Sequence, residues 1–352
     1  MGWTTWGWTT WGWTTWGWTT WRRGALAAPL LALVGCAAAE SHEAPPLASR
    51  IPHEQLATRE DPIEPIPRGS SLDPRRVALG RQLFADKRLS GDGKKACTTC
   101  HDLARGGVVP GEARSTHPRA APGPYNVPTV FNVAFDFRYN WDGKYKTLEE
   151  HLSAPLMSPV VMNGGGWKAV VARLERAYAS AFFAAGYRDG VTRHGIESAI
   201  AIYQRSLTTP DAKFDRYLRG ETQLSDRERA GYEIFKNVGC ITCHQGINVG
   251  GNLFQRFGVM ADALDGRQPT RLDMGRFLVT GKQRDMRVFR VPSLRNVALT
   301  APYFHDGSAA TLDDAVRHMG RVQLGYILTE HEVHSIVAFL ETLTGRQPGT
   351  RR

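Results

Sequence analysis

The chain has 352 residues, 42% of them hydrophobic, and a formal net charge of +10. This composition suits a globular protein with room for two small domains and excludes a disordered or fibrous chain. The basic excess is not gathered into clusters interleaved with aromatics, so nucleic-acid binding is not expected. No stretch is long and apolar enough to span a membrane.

Residues 2–21 repeat Gly-Trp-Thr-Thr-Trp four times and hold eight of the ten tryptophans. A period of five fits neither a helix nor a strand. The segment reads as an over-extended start or a repeat expansion, with a membrane-surface segment as the alternative. Arg22, Arg23 and the apolar run 25–35 form a secretory signal. Leu33-Val34-Gly35-Cys36 resembles a bacterial lipobox, which makes Cys36 a lipidated first residue and accounts for the odd cysteine. Ordinary cleavage after Ala37-Ala38-Ala39 is the alternative. Thus 1–36 is extension plus signal, and the Pro-rich 37–70 is a tether.

Asp73-Pro74 opens a helix, with Asp as the N-cap and Pro at the first helical position. Cys97-Thr98-Thr99-Cys100-His101 follows, a c-type haem attachment pattern. Its spacing lets one short turn reach two points on a porphyrin edge and places the histidine beneath the iron. A thioredoxin-type dithiol would not need the His, and half a zinc site would need a distant partner to converge. A long Gly- and Pro-rich loop then runs from Asp102 to about Tyr139. Thr147-Leu148-Glu149-Glu150 is a capping box, and helical patterns follow at 167–185, 194–208 and 211–219. Ser225 caps a helix running into Cys240-Ile241-Thr242-Cys243-His244, the second attachment pattern. Thr311 and Thr329 start the last two helices. Strand signals are sparse. The expected fold is mainly α, two c-type cytochrome domains at 71–220 and 221–346, each with one covalent haem, packed across an interface.

Beyond the haem motifs, several stretches are similar to the bacterial di-haem cytochrome c peroxidases over about residues 70–346. They are Gly80-Arg81-Gln82-Leu83-Phe84, Asn126-Val127-Pro128-Thr129-Val130-Phe131-Asn132, Trp141-Asp142-Gly143, Val291-Pro292-Ser293-Leu294-Arg295-Asn296 and, most specific, Thr300-Ala301-Pro302-Tyr303-Phe304-His305-Asp306-Gly307. The resemblance implies reduction of hydrogen peroxide to water, using electrons from a small periplasmic donor such as a cytochrome c or a cupredoxin. It implies two haem c groups, with His101 and His244 as one axial ligand each.

For the second haem it implies Met319 as the other ligand. The alternative is core packing, the commoner role of a methionine, and His318 is a rival pointing about 100° away on the helix. For the first haem it implies His117, a displaceable ligand on the loop, against a solvated loop histidine as the alternative. Trp141 is implied to pass electrons between the haems, against an ordinary packed Trp. A calcium ion is implied, held partly by Asn126 and the carbonyls of Thr300 and Pro302.

One departure stands out. The family's distal glutamate is replaced by Val161, which cannot move a proton. His151, where the family has a distal glutamine, is the candidate substitute, against a surface histidine on its helix. Relatives that oxidise tryptophan or tyrosine of a partner protein form an alternative function; the one that matures a tryptophan-derived quinone has Tyr at the Met319 position. A non-catalytic two-haem electron shuttle or redox sensor is a third. The expected location is the periplasm, with attachment to a membrane through a lipid only, and a homodimer is a candidate assembly.

Overall fold

Asp73 and Pro74 start the first helix as their chemistry requires: the Asp73 carboxylate accepts the Arg75 N–H at 2.9 Å, and Pro74 gives up only a donor that would have no partner. The computed structural model describes residues 61–69, 71–108 and 125–347. These belong to one unit, Arg59–Arg352. The helices are α1 (Pro74–Phe84), α2 (Leu148–Met157), α3 (Trp167–Ala184), α4 (Arg193–Ser206), α5 (Lys213–Leu218), α6 (Asp226–Asn237), α7 (Phe277–Thr280), α8 (Leu312–Met319) and α9 (Glu330–Glu341). The expected caps are formed: Thr147 on α2, Thr311 on α8, and full capping boxes at Ser225 and Thr329. The chain is therefore mainly helical. A two-stranded antiparallel ribbon, β1 (Phe254–Arg256) with β2 (Val288–Arg290), pairs Gln255 with Phe289.

Two apolar cores form in chain order. The first runs from Leu79 to Leu207 and is walled by α1, α2, α3 and α4. The second runs from Phe214 to Leu343, takes in Ile63 as well, and is walled by α5, α6, α8 and α9. Each core rests on a helix crossing closed by a glycine. A Cβ on Gly80 of α1 would lie 1.9 Å from the Ala199 carbonyl of α4; one on Gly231 of α6 would lie 1.8 Å from the Ser335 carbonyl of α9. Only a hydrogen fits at either place.

The two halves repeat. Asn132, Tyr139 and Thr147 correspond to Asn296, Tyr303 and Thr311 at a constant offset of 164. Asn132 and Asn296 both adopt left-handed backbone at φ 59° and 60°. The Tyr139 hydroxyl donates to the Val133 carbonyl, and that of Tyr303 to the Val297 carbonyl. Sequence reading by element had not brought this repeat out.

Three expectations change. The tether does not extend to 70: Ile63 and Ile66 are buried at 1% and 0% exposure, and Ile63 belongs to the second core. Apolar side chains in a Pro-rich stretch gain more by docking than by solvation. Phe214 of α5 also belongs to the second core, so the break between cores falls between Leu207 and Phe214 rather than at 220/221. Finally, α6 stops at Asn237 instead of running into the second motif, because Gly239 turns to φ 100°. Residues 1–60, which include Cys36, and His117 lie outside the described residues.

Candidate functional site

The two Cys-x-x-Cys-His runs fold alike. Cys97–Thr99 and Cys240–Thr242 are single 3-10 turns. The N–H of His101 reaches the Cys97 carbonyl at 2.9 Å and that of His244 reaches the Cys240 carbonyl at 3.0 Å. The imidazoles are oriented alike as well. His101 Nδ1 lies 3.0 Å from the Gly107 carbonyl, and His244 Nδ1 lies 3.3 Å from that of Val249. A carbonyl only accepts, so Nδ1 carries the proton and Nε2 is left to bind a metal. Burial lowers the basicity of both rings, that of His244 to about 4, against the opposing pull of their carbonyl partners. Burial also pushes the thiols of Cys97 and Cys240 up to about 12.

At the second site, Cys240, Cys243 and His244 share a cavity of about 240 Å³ with Met319, the last residue of α8. His318 is not in its lining; its ring packs 5.6 Å from Phe257 and 5.1 Å from Phe304. The helix thus brings the thioether to the cavity and takes its neighbour away. Phe235, Leu324, Ile336 and Leu340 make the walls apolar.

The first site is built differently. The repeat sets α2 opposite α8 in sequence, and Pro155 stands where α8 has Met319. Proline has no group to offer an iron. One turn earlier on α2 lies His151, half-buried, its ring 5.3 Å from Tyr145 and 6.5 Å from Tyr139. It is not a surface histidine. Burial first, and then the neighbouring His101 and the Arg290 charge, take its basicity down to about 4, so it is neutral near pH 7. Val161 packs half-buried on the first core, and its carbonyl accepts from Lys95 Nζ at 2.7 Å.

Trp141 joins the halves. Its Nε1–H donates to the Asn126 carbonyl at 2.8 Å, and its ring lines the second cavity. Asn126 and Pro302 are brought together: the Asn126 amide donates to the carbonyls of Pro302 at 2.6 Å and Phe304 at 3.0 Å. Thr300 also lines this cavity. His305, the repeat mate of Trp141, is 2% exposed and stacks on Phe289 at 4.4 Å. Its Nε2 lies 2.9 Å from Asp273, which Arg267 also binds. Burial resists ionisation of Asp273, but Arg267 and Thr270 hold the carboxyl well below its ordinary range. Sequence reading gave no role to His305 or Asp273; the 164-residue repeat, which aligns His305 with Trp141, was the signal that marks His305, whereas Asp273 is brought to it only by the fold.

A sequence profile for the di-haem cytochrome c peroxidases matches residues 74–223. The cytochrome c peroxidase Ccp of Escherichia coli K12 is 42% identical over 82% of this chain, which spans 62% of that protein's length. The cytochrome c551 peroxidase of Nitrosomonas europaea is 41% identical over 82% of this chain and 85% of its own. Among solved structures, a MauG-like protein associated with microbial copper homeostasis superposes with a TM-score of 0.68 at 28% identity, covering 87% of this chain and 96% of that one.

Proposed function

This chain belongs to the di-haem cytochrome c peroxidase family, and on that premise we propose that it reduces hydrogen peroxide to water with electrons from a small donor protein, a cytochrome c or a cupredoxin. The observation that carries the reading is the inequality of the two sites: one cavity holds His244 together with Met319, whereas α2 offers Pro155 at the matching place. When bound at the two cysteine pairs, haem c supplies one-electron chemistry and an iron for peroxide.

The chain's own residues set which site does what. Met319 completes the second site and favours its reduction. At the first site His117 would be the displaceable ligand, and the haem held there would supply the iron that takes peroxide. His151 takes the proton from one peroxide oxygen and returns it to the other, the task Val161 cannot perform. It is neutral and therefore able to accept. Trp141, fixed by Asn126, lies on the route between the halves. A calcium ion is part of the proposal: with its amide turned over, Asn126 offers Oδ1 beside the Pro302 carbonyl, an oxygen set that suits this cation. Among the described residues no helix is long and apolar enough to cross a membrane. Periplasmic export, the lipid on Cys36 and a homodimer belong to the same proposal.

The test is steady-state oxidation of reduced cytochrome c by peroxide, before and after one-electron pre-reduction of the purified holoprotein. Activation by pre-reduction is expected. Equal, absent turnover in both states points to a shuttle, and slow donor oxidation in both points to an enzyme that modifies a partner protein.

A further inference from the structure

Arg290 ends β2 and lines the cavity of the second site at 6% exposure. A guanidinium so deeply buried needs anionic partners for its donors, because desolvation of the cation is otherwise uncompensated. Asp136 is one, with its Oδ2 3.0 Å from Nη1. That contact is off hydrogen-bond alignment, so Nη1 is ion-paired with Asp136 yet makes no aligned hydrogen bond among the described residues. Nε has only a long contact of 3.5 Å to the Asn140 carbonyl. Asp136 cannot turn freely to improve the fit, since its Oδ1 is tied to the Asn248 amide at 2.7 Å. Backbone holds the arginine in place: its N–H donates to the Trp141 carbonyl at 2.9 Å. A fixed, buried, incompletely paired cation facing a cavity is an anion site.

We propose that Arg290 binds a carboxylate of the porphyrin attached at Cys240 and Cys243, and that the Arg290–Asp136 pair sets that haem's reduction potential. The inference rests on the di-haem reading above. The porphyrin propionates are the anions that such a cavity brings within it, and a bidentate guanidinium matches their geometry. A positive charge held near the iron favours the reduced state, because reduction removes one positive charge from the site.

The test is spectroelectrochemical titration of the second haem in the full holoprotein without peroxide, comparing the wild type with Arg290→Gln and Asp136→Asn. Arg290→Gln is expected to shift the reduction equilibrium about tenfold toward the oxidised form, about 59 mV for one electron. Asp136→Asn removes the offsetting negative charge and is expected to shift it the opposite way. A midpoint for Arg290→Gln within threefold of wild type, or moved upward, overturns the proposal. Should Arg290→Gln fail to yield protein with two haems, Asp136→Asn decides: a raised midpoint supports the anion site, and an unchanged or lowered one overturns it. Because no peroxide is used, failure here leaves the peroxidase reading intact, and failure of the peroxide assay leaves this comparison intact.

Discussion

Gly231→Ala separates intrinsic propensity from packing. In an exposed helix interior, replacing Gly by Ala stabilises by about 1 kcal/mol. At Gly231 the new Cβ would lie 1.8 Å from the Ser335 carbonyl and 3.1 Å from the Ile336 nitrogen. Both neighbours are backbone of α9, so no side chain can swing aside. The crossing has to open by about 1.6 Å before the contact is ordinary, an overpacking that costs about 3 kcal/mol in a tight core. The net loss is about 2 kcal/mol, or about 4–8 °C in Tm for a unit of this size. Ile336 and Leu340, on the displaced helix, line the cavity that holds His244 and Met319. The second haem's absorption spectrum is therefore expected to change with Tm. Thermal melts of the holoprotein, followed at the haem bands and by far-UV circular dichroism, provide both readings. A neutral or raised Tm would refute the close-crossing argument, and Gly80→Ala in the first core should then fail in the same way.

Met319→Leu keeps the apolar volume but removes the thioether. It is expected to lower the second haem's reduction equilibrium by at least about tenfold and to abolish activation by mild donors; an unchanged midpoint would mean the methionine only packs. His151→Ala should lower kcat/KM for peroxide by about 10²–10⁴-fold with the haem content unchanged, and unaltered turnover would return the histidine to a packing role. Asp215→Ala strands the Arg295 guanidinium, since the pair is 2.6 Å apart with both side chains fully buried. The expected loss is about 3–5 kcal/mol, read by denaturant unfolding, and a change below about 1 kcal/mol would contradict the burial.

What was legible in the sequence was local. Helix starts were read from Asp73, Thr147, Ser225, Thr311 and Thr329 because a cap is a contact between a side chain and a backbone N–H two or three residues away. The two haem motifs were read because attachment and axial ligation are confined to five consecutive residues. Met319 and His117 came only through family resemblance, since nothing in their neighbours distinguishes a ligand from a core or loop residue. The tertiary structure decided what depends on residues far apart in the chain. It put Met319 rather than His318 in the cavity. It set His151 among aromatic rings rather than in solvent, and joined Ile63 to a core built from residues more than 150 positions further on. It brought Asp136 against Arg290, a pairing of charges that carries no spacing in sequence because it exists only when the two halves close on each other.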